Sequence, residues 1–326
     1  MVATYSEVPR ILLDTDPGVD DALALLYLHR HPAVELVGIT TAAGNGPIDL
    51  VTKNTRYLAD RFAMNVPIAQ GAAASLRGAV HPPPPEIHGL NAMADLPIPD
   101  VAYPLDPRPA HQFIIDTVRA HPGEITLLAI AMLTNVARAL IDDPGIAGLV
   151  KNVVVMGGAF SGNGGNASPV AEANIYGDAQ AADIVFTAGW PVQIVGLDVT
   201  ERIVMTPEYL AALRAHGTPE ADFMWDVTRG YEAFYHQRDA LGGIYAHDPA
   251  AAVCAVDDRP FTFSRGPVRV LHDGIAEGLT LQHRAGRMRP RAGAWTDAPP
   301  QAVATDVDPA RVLALFAEPF APRETT

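Results

Sequence analysis

The chain has a single cysteine, Cys254, among 326 residues, so no disulfide can close within it and a reducing, cytoplasmic location is expected. Cys254 lies in the apolar run from Ala250 to Val256, where a free thiol behaves as a small buried hydrophobe rather than a nucleophile. Long hydrophobic runs are also missing, and nothing approaches the ~18–20 consecutive apolar residues that a membrane span needs. The segment Met1 to Glu7 has neither a basic opening nor an apolar stretch, so no secretory leader is expected. Positive charge is scarce: 23 Lys and Arg face 37 Asp and Glu, for a formal net charge of −14. That balance repels polyanions, which argues against nucleic acid and membrane surfaces as partners and leaves neutral molecules and cations. The sequence contains no basic cluster interleaved with aromatics, no repeat and no long low-complexity tract.

What is present is the material of a large core, with a hydrophobic fraction of 48% and a mean hydropathy of +0.10. Short β-branched runs are each followed by a helical pattern. Ile11 to Leu13 leads into Val19 to His29, Leu36 to Thr40 into Ile48 to Phe62, and Ile125 to Ile130 into Asn135 to Ile141. Val153 to Val155 precedes a glycine-rich loop and the helical stretch Ala179 to Thr187, and Val192 to Val195 follows. Apolar strands alternating with helices predict an α/β fold: a single open, mainly parallel, Rossmann-like sheet flanked by helices, taken as one domain over residues 1–326. In such sheets ligands bind at the carboxyl ends of the strands. There the sequence offers Asp14-Thr15-Asp16, Ala43-Gly44-Asn45, Leu133-Thr134-Asn135, Met156-Gly157-Gly158 and Asp198. Two regions break the alternation. Residues 77 to 109 are proline-rich and read as a long loop. Residues 207 to 256 read as largely helical, and 259 to 281 has strand character.

The most informative stretch is Asp14-Thr15-Asp16-Pro17-Gly18-Val19-Asp20-Asp21, four carboxylates at a strand-to-helix turn. Acids near a helix start are ordinary capping chemistry. Four are too many for that, because crowded like charges raise one another's pKa and destabilise the fold unless a positive group neutralises them. The nearest basic side chains are Arg10 before the cluster and Arg30 after it. A divalent cation is the economical solution, and all-oxygen donors favour Ca²⁺ or Mg²⁺ over zinc. A phosphatase with an aspartyl nucleophile also carries Asp-x-Asp after its first strand. Gly18 stands where that motif has Thr or Val, and the Asp20-Asp21 pair is surplus to it.

The stretch closely resembles the signature of the inosine-uridine preferring nucleoside hydrolase family. The resemblance continues in order through Thr41 to Asn45, His88-Gly89, Leu133 to Asn135, Val155 to Gly158, Gly165-Asn166, Ala171 to Asn174 and His247-Asp248-Pro249. It implies Ca²⁺-dependent hydrolysis of the N-glycosidic bond of ribonucleosides. Asp16, Asp21 and Asp248 resemble the Ca²⁺ carboxylate ligands, with the backbone carbonyl of Ile130 as a further one. Asp20 resembles the residue on the ribose 2′-hydroxyl, Asn45 an organiser of the attacking water, and Asn166, Glu172 and Asn174 binders of the ribose hydroxyls. Met156 packs near the sugar, His88 belongs to the loop beside it, and His247 resembles the histidine that faces the base.

The residue types suit that chemistry. A hard cation chelates vicinal hydroxyls and holds a water beside them, whose proton Asp16 takes as general base. Departure of the base leaves an oxocarbenium-like sugar, which an anionic pocket stabilises. His247 is the expected acid for the leaving base. The stretch Trp225, Tyr231, Phe234, Tyr235, His236, Gln237, Arg238 and Asp239 precedes His247 and is the expected source of base contacts, with Tyr235 stacking on the base. Aromatics at this spacing also serve as core.

Departures from the family pattern are Ala131-Met132 before Leu133, Ala173 between Glu172 and Asn174, and Leu90 to Met93 without a second glycine. They bear on base preference and on the 5′ side. A nucleoside is thus the expected partner, together with a homo-oligomeric dimer or tetramer. A nucleoside-binding sensor without catalysis is the reading from another class, and intact Asp16, Asn45 and Asp248 argue against it.

Overall fold

The computed structural model describes residues 8–162, 164–284 and 293–321. Met1 to Glu7, on which the expectation about a leader rests, lies outside the described residues. Eleven strands occur among them: β1 (Arg10–Thr15), β2 (Glu35–Thr41), β3 (Ile68–Gln70), β4 (Ile125–Ala129), β5 (Asn152–Met156), β6 (Val192–Val195), β7 (Val204–Met205), β8 (Ile244–Tyr245), β9 (Phe261–Val270), β10 (Thr280–Gln282) and β11 (Pro300–Val307). Nine form one sheet in the order β10-β9-β11-β6-β5-β4-β1-β2-β3, and β7 pairs with β8 apart from it. From β3 through β11 every neighbour is parallel, and β9 and β10 add an antiparallel edge. The expected open α/β sheet is therefore present, mixed at one edge.

Period-two alternation divides the core between the two faces of the sheet. Ile11, Leu13, Leu128 and Val154 join one cluster, under the helices Val19–Arg30, Pro219–Asp239 and His247–Val256. Leu12, Leu127, Val153 and Val155 join the other, under Ala110–Ala120, Thr134–Asp142 and Ala179–Thr187. Because both faces are covered, β1 is apolar on both sides until its last residues. Among the described residues no helix is long and apolar enough to cross a membrane.

The sequence expectations missed several elements, among them β3, β7, β11, and the helices Ala110–Ala120, Leu197–Thr200 and Pro309–Ala317. The 77 to 109 stretch is irregular apart from one short turn of helix, Pro85–His88. The region 207 to 256 is largely helical as expected, over Pro207–Arg214, Pro219–Asp239 and His247–Val256, with β8 between the last two.

Candidate active site

At the carboxyl edge of the sheet lies a cavity of about 530 Å³. Its floor is the end of β1 and the first turns of two helices. Asp20 and Asp21 stand in the first turn of Val19–Arg30, and Asp248 in that of His247–Val256. Asp20, Asp21 and Asp248 are buried and bring one oxygen each within 4.8 Å of one another. This trio holds Asp20 where the expected ligand set holds Asp16. Helix N-termini attract carboxylates, and Asp21 does cap its helix, accepting from Gly18 N at 3.1 Å.

Capping leaves a remainder. Asp21 also accepts from Thr15 Oγ1 at 2.6 Å and Asn45 Nδ2 at 2.9 Å, so each of its oxygens has a partner that orients it. Asp16 accepts from Asn45 N at 2.7 Å through Oδ2, while its buried Oδ1 has no partner. Burial raises the carboxyl of Asp16 well above its usual range, and the neighbouring Asp21 raises it further. Burial likewise pushes Asp20 up to about 8, with Asp21 adding to it, and raises Asp248 strongly. No Lys or Arg among the described residues contacts this floor, so the oxygens suit a hard cation.

The turn after β2 must approach Asp16 closely. A Cβ at Gly44 would lie 2.0 Å from Asp16 Oδ2, so any other residue there would displace the Asp16 carboxylate. Beneath the cluster Asp14 accepts from Thr40 Oγ1 at 2.6 Å and Asn135 Nδ2 at 2.8 Å. Asn135 also donates to Thr41 O and accepts from Ala72 N, tying the ends of β1, β2 and β3 together. Asn135 appeared in the sequence only as part of a motif, without a role.

The side next to β5 carries the amides. Asn174 Nδ2 donates to the carbonyls of Ile130 and Met156, at 3.0 and 3.2 Å, which leaves its Oδ1 for a ligand. Asn166 Oδ1 accepts from Ala173 N, which leaves its amide donors. Glu172 is buried and accepts from the backbone N–H groups of Asn174, Ile175 and Gly158, so it caps the short helix Ala173–Gly177 while lining the cavity.

The opposite wall is aromatic. Tyr235 is buried, its ring edge-on to Tyr231 with centroids 4.8 Å apart. Its hydroxyl meets those of Tyr231 at 3.1 Å and His247 Nε2 at 3.1 Å. His247 Nδ1 in turn meets Thr200 Oγ1 at 2.8 Å. Tyr231 also faces Asp20 and lowers the pKa of its carboxyl. One chain of contacts thus runs Thr200, His247, Tyr235, Tyr231, Asp20. His88 stacks on Tyr231 at 5.2 Å and accepts from Val19 N through Nδ1, so its Nε2 carries the proton. Burial holds His88 down at about 4. It holds His247 at about 3, with Arg238 and His88 lowering it further.

Every site residue expected from the sequence therefore reaches this region: Asp21 belongs to the buried carboxylate cluster of the floor, and the others line the cavity. Tyr231 was expected only as one of the stretch supplying base contacts, without a role of its own, and Thr200 was not expected at all. The i, i+4 spacing of Tyr231 and Tyr235 was the available signal for singling out Tyr231; for Thr200 no signal existed.

The family model described as inosine-uridine preferring nucleoside hydrolase matches residues 11–314. A probable uridine nucleosidase 1 from Oryza sativa subsp. japonica is 38% identical over 310 residues, covering 95% of each chain. Among solved structures, a plant nucleoside hydrolase aligns with a TM-score of 0.93 at 33% identity, over 97% of this chain and 100% of that one. A purine-preferring ribonucleoside hydrolase from Gardnerella vaginalis aligns with a TM-score of 0.87 at 32% identity, over 95% and 98%.

Proposed function

The chain belongs to the inosine-uridine preferring nucleoside hydrolase family, and from that premise we propose that it is a Ca²⁺-dependent enzyme splitting ribonucleosides into ribose and free base. That it is a nucleoside hydrolase follows from the family; the ion, the residue roles and the base preference are the proposal. The observation that carries it is the buried floor of Asp16, Asp20, Asp21 and Asp248, which includes an orphaned Asp16 oxygen. Asp21 and Asp248, with Asp16 and the Ile130 carbonyl, would hold the ion. A bound Ca²⁺ supplies chelation of the vicinal ribose hydroxyls and acidifies a neighbouring water.

The chain's own groups do the rest. Asp16 takes the proton of the attacking water at its free Oδ1, while Asn45 holds the other oxygen and clamps Asp21. Asp20 accepts from the 2′-hydroxyl, and Asn166, Glu172 and Asn174 offer their remaining donors and acceptors to the other hydroxyls. Met156 and the buried aromatic wall exclude water beside the sugar. As the bond to the base breaks, the acidic floor stabilises the positive charge on the sugar. His247 is held neutral by burial and bonded on both ring nitrogens. It therefore relays a proton to Tyr235, gaining one at one ring nitrogen as it gives one up at the other, rather than carrying a standing charge. The uridine nucleosidase similarity favours uridine as the first substrate to try.

Chromatographic assay of a nucleoside panel, with EDTA and then with Ca²⁺ restored, tests the reading. Base release that chelation stops and Ca²⁺ restores is the expected result. Release that survives full chelation would remove the ion from the reaction.

A further inference from the structure

The cavity floor is anionic, yet the departing base leaves with the electron pair of the broken bond and so becomes anionic itself. Among the described residues lining the cavity, Arg238 is the one lysine or arginine. It stands in the last turn of helix Pro219–Asp239. Its Nε and Nη2 donate to the two carboxylate oxygens of Asp239 at 2.9 and 2.6 Å, which fixes the guanidinium plane. Its Cζ lies 4.9 Å from the centroid of the Tyr235 ring and 5.2 Å from that of Phe234. Nη1 has no hydrogen-bond partner among the described residues. The cation is thus seated on the very ring whose hydroxyl meets His247, with one pair of donors free. Glu201 and Asp239 are the acids facing it, and the Tyr245 phenol is also near.

We propose that Arg238 determines leaving-group tolerance: its free Nη1 donors meet a carbonyl oxygen of the base and offset the charge the base acquires. This rests on the hydrolase reading above. In that step the C1′–N bond breaks heterolytically and its electron pair goes to the base. The water oxygen bonds to C1′, the water proton passes to Asp16 and on to solvent, and the base anion afterwards takes a proton from the Tyr235 hydroxyl, which is reprotonated from solvent through His247. A guanidinium has donors and no acceptor, so it favours bases that present carbonyl oxygens. Its side chain is 35% exposed, so solvent screens part of its charge.

The test is steady-state kinetics of the full chain with Ca²⁺ on uridine and on 5-fluorouridine, whose base is the more acidic leaving group. Arg238→Gln is expected to lower kcat on uridine about tenfold, to lower it less on 5-fluorouridine, and to unfold at the wild-type temperature. Arg238→Lys, which keeps the charge, is expected to recover most of the loss. An equal loss on both substrates, a change confined to KM, or an unchanged kcat would overturn the assignment. A wild-type enzyme that releases neither base would instead overturn the uridine preference proposed above, on which it rests.

Discussion

The floor and the aromatic wall of the cavity are both buried and both titratable, yet they are finished differently. On the wall each imidazole is pushed down into its neutral form, and the polar atoms that run from Thr200 through His247 and Tyr235 to Tyr231 find protein partners. On the floor the carboxyls are pushed up, and Asp16 Oδ1 finds none. Burial disfavours charge in either place. The difference teaches that the Thr200 to Tyr231 chain of the wall is satisfied by the protein itself, whereas the floor keeps a buried carboxylate oxygen without a protein partner.

The largest effect should come from breaking the floor. Asp16→Ala removes the proposed base and an acidic oxygen together, and kcat for base release is expected to fall by about 10³-fold or more. Full turnover in that variant would mean the orphaned oxygen has no part in the reaction. On the wall, Tyr235→Phe deletes the hydroxyl between His247 and Tyr231 while keeping the ring. A kcat loss of roughly 10-fold to 100-fold is expected, along with a stability loss of about 1–3 kcal/mol from the partners left unsatisfied. If only stability moves, the wall is a scaffold and carries no proton.

The smallest effect separates the two regions by pH. The floor acids bind protons more tightly in the fold than when unfolded. Their stabilising contribution is full below about pH 4 and is lost as pH rises toward the Asp20 value of about 8. The wall histidines behave in the opposite sense. Their contribution is full above about pH 6.5 and is lost as pH falls toward the His88 value of about 4. Above about pH 6.5 the floor alone still titrates. The metal-free protein should therefore lose several degrees of Tm between about pH 6.5 and 8.5. Added Ca²⁺ should restore more at the upper pH than at the lower, because binding displaces protons. A metal-free Tm that is flat or rising across that interval would show that the floor is not under electrostatic stress. Scanning calorimetry with and without Ca²⁺ reads both quantities.

The parallel half of the sheet was legible because its signal is local. Ile11 to Leu13, Leu36 to Thr40 and Val153 to Val155 are short apolar runs closed by polar residues, and each became a strand. β3 was not legible, because three residues carry no periodicity. β11 was missed for another reason: small residues such as Ala302 and Ala304 form it, and its partners β6 and β9 lie far away in the chain. The acidic floor was legible at Asp14 to Asp21 because four carboxylates at one strand end have no bland explanation. Thr200 was invisible, since a lone threonine gains meaning only from the imidazole folded against it.

The sequence by itself determined the fold class, the edge of the sheet that carries the cavity, and the acidic character of the floor, because strand periodicity and a run of acids are properties of neighbours along the chain. Tertiary structure alone decided which oxygens would be left over. It brought Asp248 to Asp20 and Asp21, let Asn45 and Thr15 satisfy Asp21 but only half of Asp16, and laid Arg238 across Tyr235. Hydrogen-bond satisfaction is a sum over groups distant in sequence, and no local pattern computes it.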